Sequence, residues 1–246
     1  MNLLIDLGNS RLKWAWSDAS GLRSGTPVDH SQPLDAVLRV AWRDAPPVDR
    51  VLIASVARPR LEAELAQAVR THVRAEPVFV ASRGELLGVR SAYARPEKLG
   101  VDRLLALVAL HAERAATTVL ASVGTALVLD AMDATGRHLG GLIAPSPALM
   151  QQALLGATAR VSASEQAQLV EFADDTEDAV HSGCWLAAAA LVERFYLRAS
   201  EQWTEIPSLV LAGGAAGQLL PLLRCPARIE TDLVLRGLAL YAEAGC

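Results

Sequence analysis

An apolar run that ends in a carboxylate and then turns back on itself is the feature that most constrains how this chain can fold. Residues 2–7 and 11–17 are predicted strands, and the two-residue Gly8-Asn9 link is typical of a β-hairpin. Asp6 precedes the turn and Lys13 follows it, so an acid, a cation and backbone N–H groups are expected at one tip. Such a tip could hold a polyphosphate and its metal ion, or it could be an ordinary surface hairpin.

A second stretch in the middle of the chain repeats this pattern. Residues 119–130 read as an apolar strand, a small turn at Gly124 and another apolar strand, and Ser122 stands where the first copy has its acid. The repeat predicts a duplicated chain with domains at residues 1–115 and 116–246. Because clefts between domains are preferred ligand sites, we expect one turn from each half to face a shared cleft.

The rest of the chain alternates helical and strand patterns, apart from a loop at residues 84–99. Further predicted strands span residues 51–55, 78–81, 117–122, 125–131, 137–144 and 209–212. Predicted helices span residues 33–44, 61–74, 102–115, a stretch from 147 onward, 176–200 and 232–244. Each half of the chain has a strand meander followed by alternating helices and strands. This order of elements predicts an α/β fold with mixed sheets.

Composition excludes several classes of protein. An apolar content of 52% is enough for a full core, and a net charge of −4 with no basic tract argues against nucleic-acid binding. No apolar run approaches the ~20 residues of a membrane span, and no signal peptide is expected. Cys184, Cys225 and Cys246 are not in a CxxC arrangement, so we expect reduced thiols, a cytoplasmic location and no zinc site.

Lysine is almost absent from the sequence. Lys13 and Lys98 are the only lysines among 23 basic residues. A lysine ammonium is a compact point charge and an arginine is a planar fork, so the two are not interchangeable at a tight site. The position of Lys13 within the turn motif favours a functional role over chance, whereas Lys98, four residues before Asp102, is open to either interpretation.

Six short motifs occur in a fixed order and together resemble the type III pantothenate kinases. The resemblance runs from the first residues to Gly237, almost the whole chain. The motifs are Asp6-Leu-Gly-Asn-Ser with Lys13, Gly100-Val-Asp102-Arg103, Gly124-Thr125-Ala126 with Asp130, Gly140-Gly141-Leu-Ile-Ala-Pro145, Thr176 with Ser182-Gly183, and Gly213-Gly214.

This resemblance implies both a fold and a reaction. The fold is the duplicated ribonuclease-H-like fold of the acetate kinase, sugar kinase, Hsp70 and actin superfamily. The reaction is transfer of the γ-phosphoryl group of ATP to the primary hydroxyl of pantothenate, the first step of coenzyme A synthesis, with Mg²⁺ as the metal ion. The resemblance also implies a homodimer whose substrate site lies near the dimer interface.

The resemblance also assigns site residues. Asp102 stands in the place of the proton acceptor, and Asp6 is expected to hold Mg²⁺ through water. The implied ATP contacts are Asp6, Leu7, Gly8, Asn9, Ser10, Arg11, Leu12, Lys13 and Thr125. The implied pantothenate contacts are Tyr93, Gly100, Val101, Asp102, Arg103 and Thr176.

Each of these residue types also has a structural interpretation. An acid at a helix start, such as Asp102, is often a cap. Arg103 could be a solvated surface charge, and Tyr93 could anchor a loop through its hydroxyl. Thr176 could cap the long helix, because acids follow it in the first turn.

Ser122 departs from the family pattern, which has Asp at this position beside a monovalent cation, K⁺ or NH₄⁺. Because serine offers a neutral oxygen, either the cation dependence is weakened or another acid, such as Asp130, compensates. Two other functions stay open: a sugar or small-alcohol kinase of the same superfamily, and a non-catalytic ligand-binding regulator on the same fold. The presence of Asp6, Lys13 and Asp102 together weighs against the regulator.

Overall fold

The computed structural model of this chain describes residues 1–157 and 166–246 and divides into two compact units. The first unit combines Met1–Ala115 with Asp232–Cys246, and the second is Ala116–Thr231. The repeat in the sequence predicted that the last helix belongs to the second domain, residues 116–246. The structure instead places it in the first unit, which is therefore built from both ends of the chain.

The first unit begins with a hairpin and ends its N-terminal part with a long buried helix. Its elements in chain order are β1 (Asn2–Leu7), β2 (Arg11–Asp18), β3 (Gly21–Ser24), β4 (Val28–Asp29), α1 (Leu34–Ala41), β5 (Arg50–Ser55), α2 (Pro59–Ala68), β6 (Pro77–Phe79), β7 (Glu85–Leu86), β8 (Val89–Arg90) and α3 (Val101–Glu113). A π-helical turn, Val69–Val73, extends α2.

The main sheet of the first unit is mixed, with strand order β3-β2-β1-β5-β6 and β4 paired to β2. β1 is antiparallel to β2 and parallel to β5. Leu3, Ile5 and Leu7 of β1 are fully buried in a core cluster that includes residues of α1 and α2. Because side chains alternate along a strand, Asp6 lies on the opposite face of the sheet from these three leucine and isoleucine side chains.

The second unit carries a sheet of the same design. Its elements are β9 (Thr118–Val123), β10 (Ala126–Met132), β11 (His138–Pro145), α4 (Pro147–Ala157), α5 (Thr176–Ser200), β12 (Ser208–Ala212), α6 (Ala216–Leu219) and β13 (Ala227–Ile229). The strand order is β11-β10-β9-β12-β13. β9 is antiparallel to β10 and parallel to β12, as β1 is to β2 and β5, so the predicted duplication is visible in the topology.

The last helix, α7 (Leu233–Glu243), returns to the first unit and packs against α3. Gly237 makes this close packing possible, since a Cβ atom there would lie 2.2 Å from the backbone oxygen of Leu105. α7 also contacts β1 and β2 of the hairpin, whereas α3 contacts the neighbouring strand β5. Within the described residues, no helix is long and apolar enough to cross a bilayer.

Candidate active site

The tip of the β1–β2 hairpin is a braced turn. The Gly8 N–H donates to the Arg11 carbonyl at 3.0 Å, which closes the turn and leaves Asn9 and Ser10 exposed at its tip. The His30 N–H donates to the Ser10 carbonyl at 3.2 Å, and the His30 ring lies 3.2 Å from the Asn9 carbonyl. These two contacts with His30 therefore hold the tip in one conformation.

Leu7 and Leu12 flank this turn and have fully buried side chains in the core of the first unit. They lie directly opposite each other in the register of the hairpin. Any contact that these two residues make with a nucleotide would therefore use their backbone groups, while their side chains fix the turn to the sheet.

Asp6 lies in an unusual electrostatic environment. Burial, the largest cause, and the nearby charge of Asp102 raise the pKa of Asp6 from 3.8 to about 7. Lys13, opposite Asp6 in the hairpin register, lowers this pKa, and Asp232 raises it further. Two further carboxylates and one ammonium of the first unit thus act on Asp6, which makes this region a functional-site candidate.

Asp102 is held at the start of α3 by its own neighbours. Gly100 is the N-cap residue, and Asp102 lies in the first helical turn, where its Oδ1 accepts a hydrogen bond from the Arg103 N–H at 2.8 Å. A Cβ atom on Gly100 would lie 2.4 Å from this Oδ1. The N-cap residue is therefore Gly100 and not Asp102, so the interpretation of Asp102 as the cap is wrong, and glycine at position 100 leaves room for the Asp102 carboxylate.

Arg103 and Tyr93 are brought together. Arg103 is 8% exposed, so the interpretation as a solvated surface charge is wrong. Its guanidinium donates to the Tyr93 hydroxyl at 3.0 Å and lies 5.7 Å from the centre of the Tyr93 ring. A buried, oriented guanidinium of this kind is suited to a bidentate carboxylate. Val101, between Gly100 and the acid, is buried, so its side chain belongs to the core.

Asp232 is a component that the sequence reasoning missed. It is the N-cap residue of α7 with a left-handed backbone, φ 55°, and its Oδ2 accepts a hydrogen bond from the Ser24 hydroxyl at 3.0 Å. Its charge reaches Asp6. The sequence does show an acid immediately before the last apolar helix. Only the packing of α7 in the first unit, however, brings this acid close enough to affect Asp6.

The second turn, in the second unit, is built like the first but is shorter. The Gly124 N–H donates to the Ala126 carbonyl at 2.9 Å, with Thr125 exposed at the tip. Ser122 is half-buried at the end of β9, opposite Val128 of β10. Because Ser122 and Thr125 belong to the second unit, their action together with the first turn stays a prediction.

Asp130 is engaged within the second unit. Its Oδ1 lies 2.8 Å from Nε2 of His138, and both side chains are almost completely buried. A buried carboxylate hydrogen-bonded to an imidazole is held by that partner. This engagement argues against Asp130 as a substitute for the charge that Ser122 lacks.

Thr176 is the first residue of α5, and the interpretation of Thr176 as the cap is wrong. The cap is Asp175, whose Oδ1 accepts a hydrogen bond from the Asp178 N–H at 2.9 Å. Thr176 lines a cavity of about 880 Å³ between α4 and α5. Most of the cavity lining is apolar and includes Leu149 and Val180.

The donor set for a metal ion is sparse. Within residues 1–157 and 166–246, no group of three or more His, Cys, Asp or Glu side chains could hold a metal ion directly. Mg²⁺ usually keeps several water ligands and is bound through one or two carboxylates plus substrate phosphates. Asp6, a carboxyl whose pKa is raised first by burial and then by the charge of Asp102, fits that mode of binding.

Comparison with known families identifies the chain's relatives. The family model for type III pantothenate kinase matches residues 2–198. The type III pantothenate kinase of Nitrosococcus oceani is 37% identical over 257 residues, covering 99% of this chain and 94% of the relative. The type III pantothenate kinase of Xylella fastidiosa is 41% identical over 243 residues, covering 97% and 96%.

Solved structures show the fold alone. A Campylobacter jejuni protein described as a Baf family transcriptional activator superposes with a TM-score of 0.61 at 18% identity, covering 99% of this chain and 98% of that one. A Sinorhizobium meliloti protein described as a 2-dehydro-3-deoxygalactonokinase gives 0.59 at 15% identity, covering 99% of each. These likenesses support the predicted α/β fold with mixed sheets. The sequence match along nearly the whole chain is more specific, and by that match the chain belongs to the type III pantothenate kinase family.

Proposed function

We propose that this chain transfers the γ-phosphoryl group of ATP to the primary hydroxyl of pantothenate, giving 4′-phosphopantothenate and ADP. The observation that carries the proposal is the effect of Lys13 and Asp102 on the pKa of Asp6 within one unit of a chain of this family. Phosphoryl transfer depends on positioning and charge neutralisation more than on covalent help. A phosphate-binding turn beside a carboxylate at a helix start supplies both.

The hairpin is the proposed nucleotide side of the site. The backbone N–H groups around Gly8 and Asn9, with the ammonium of Lys13, would hold phosphate oxygens. Asp6 would hold Mg²⁺ through water, and the ion when bound neutralises charge on the phosphates. Thr125 at the second turn is assigned a further ATP contact. The remaining residues of the first turn, Leu7, Ser10, Arg11 and Leu12, complete the proposed ATP segment.

The start of α3 is the proposed acceptor side. Asp102 would accept a hydrogen bond from the pantothenate hydroxyl and take its proton as the new O–P bond forms and the bond to ADP breaks. One Asp102 oxygen is occupied by the Arg103 N–H, which fixes the direction of the carboxylate. The guanidinium of Arg103, oriented by Tyr93, would bind the carboxylate of pantothenate. Thr176 is assigned a further pantothenate contact.

The proposal includes a homodimer in the cytoplasm. Several large apolar side chains of the second unit are exposed, and exposed patches of this kind mark interaction surfaces. They are Leu142 and Ile143 on β11, Leu149 and Leu154 on α4, and Phe172 before α5. Three free cysteines are typical of a reducing compartment. Sedimentation of the purified protein would test the dimer, with Ile143→Glu expected to favour the monomer.

A direct assay tests the activity. Purified protein with ATP, Mg²⁺ and pantothenate should form equimolar ADP and phosphopantothenate, while glucose and other small alcohols in place of pantothenate should give no product. The assay should be run with and without K⁺ and NH₄⁺, because Ser122 leaves the cation requirement open. No turnover with pantothenate under any of these conditions would overturn the proposal.

A further inference from the structure

A segment without regular secondary structure, residues 168–175, is fastened to the start of α5 by side chains of that helix. The Ser182 hydroxyl accepts a hydrogen bond from the Val170 N–H at 2.9 Å and donates to the Gln168 carbonyl at 3.3 Å. One turn earlier on α5, Asp178 Oδ1 accepts from the Gln168 N–H at 2.6 Å. We call Ser182 and Asp178 the clasp.

The clasp supplies side-chain partners to backbone groups of the segment. Asp178 and Ser182 are four residues apart, so they lie on the same face of α5. The Gln168 and Val170 N–H groups both point toward this face, since each donates to one of the two side chains. Ser182 is 5% exposed, and removing its hydroxyl would leave backbone polar groups without a partner in a site shielded from water.

The fastened segment forms one wall of the cavity between α4 and α5. The residues of the segment and helix start that line this cavity are Ala173, Asp174, Asp175 and Thr176. Its volume of about 880 Å³ lies in the range of small-molecule sites. The same wall ends in Asp175, which caps α5, so the position of the wall and the position of Thr176 are set together.

We propose that Ser182 is a positioning residue for the acceptor substrate, which acts by holding the segment 168–175 so that Thr176 meets pantothenate at a fixed place. The inference rests on the proposed function, because Thr176 is assigned there as a pantothenate contact. Ser182 does not touch the reacting atoms. It belongs to the Ser182-Gly183 motif of the sequence, to which the reaction itself gives no role.

The kinetic test compares Ser182→Ala with the conservative Ser182→Thr. Loss of the hydroxyl should raise KM for pantothenate between about fivefold and a hundredfold. The free-energy cost of leaving one buried polar group unsatisfied corresponds to a change of this size in an equilibrium constant. KM for ATP and kcat should stay at the wild-type values. Ser182→Thr keeps a hydroxyl, so its KM for pantothenate should stay near the wild-type value. Ser200→Ala is the matched control, because this hydroxyl of α5 bonds only its own helix, at the Tyr196 carbonyl.

Amide hydrogen exchange tests the clasp without reference to activity. The Gln168 and Val170 amides should exchange faster in Ser182→Ala than in wild type or Ser200→Ala. If Ser182→Ala does not fold, Asp178→Asn should show a smaller change in the same direction. Unchanged exchange, or faster exchange with an unchanged KM for pantothenate, would overturn the inference. Failure of the wild-type enzyme to use pantothenate would overturn the proposed function instead.

Discussion

Asp6 and Lys13 lie directly opposite each other in the antiparallel register of β1 and β2, one residue pair before the turn. Directly opposed residues on neighbouring strands project from the same face, so the carboxylate and the ammonium share one surface of the sheet. Despite this partner, the pKa of Asp6 is raised to about 7, because burial and the charge of Asp102 outweigh Lys13. Lys13 therefore offsets only part of the effect that burial and Asp102 have on the pKa of Asp6.

The first prediction concerns stability and pH. Because the folded protein binds the Asp6 proton more tightly than the unfolded chain, the contribution of Asp6 to stability is present below pH ~4 and is lost as pH rises through about 7. The loss could reach about 4 kcal/mol, since each pKa unit corresponds to about 1.4 kcal/mol. Urea unfolding of wild type and Asp6→Asn across this range should show Asp6→Asn gaining relative stability as pH rises. Parallel pH profiles for the two proteins would contradict the assignment.

The second prediction concerns the proton acceptor. Asp102→Asn keeps the shape of the side chain but removes its basicity, so kcat should fall by ~10²-fold or more. The measurement is coupled ADP release at saturating ATP and pantothenate. Glu97→Gln, which removes an exposed carboxylate a few residues earlier in the chain, is the control and should retain the wild-type rate. An unchanged kcat in Asp102→Asn would remove the role given to Asp102.

The third prediction concerns the space beside that acid. Gly100→Ala would place a methyl group 2.4 Å from the present position of Asp102 Oδ1, so the carboxylate must move. We expect kcat to fall roughly ten- to a hundredfold, because small displacements of reacting groups are costly. Gly217→Ala, where an added Cβ meets open space, should leave kcat as it is. A crystal structure of Gly100→Ala with Asp102 unmoved would show that the glycine serves another purpose.

The fourth prediction concerns the monovalent cation. Serine at position 122 provides an oxygen without charge, and Asp130 is buried against His138. Ser122→Asp should therefore increase the stimulation of kcat by K⁺ or NH₄⁺, while Ser122→Ala should not respond more than wild type. The rates are compared in sodium, potassium and ammonium chloride at equal ionic strength. Equal responses in all three proteins would mean that no cation is held at this position.

Elements with a clear hydrophobic period were predicted well from the sequence. The hairpin β1–β2, the buried helix α3 and the long helix α5 lie within a residue or two of their predicted limits. Short elements such as β4 and β13 were not predicted, because two or three residues carry no period to detect. The single helix predicted for residues 61–74 is α2 followed by a π-helical turn, a change of hydrogen bonding that sequence does not reveal.

The site was predicted in part. An acid before the turn and a cation after it were predicted, but a two-residue Gly8-Asn9 link would place Arg11 opposite Asp6. The observed link has four residues between Leu7 and Leu12, and this longer link places Lys13 opposite Asp6. The choice between Asp175 and Thr176 as the cap of α5 could not be made, because both residue types are good caps and they are adjacent. Asp232 was missed because its proximity to Asp6 depends on a contact across most of the chain, and long-range packing leaves no local signal.

The contact between Gly237 and Leu105 gives this protein an order of assembly. While the polypeptide emerges from a ribosome, the strands and helices of residues 1–115 are made early, but the helix that covers them is made more than a hundred residues later. The intervening unit has all its strands beforehand and is free to fold first. The surfaces of α3 and β1 that α7 covers therefore stay exposed on the nascent chain until α7 is made, a period in which chaperone binding would be most valuable.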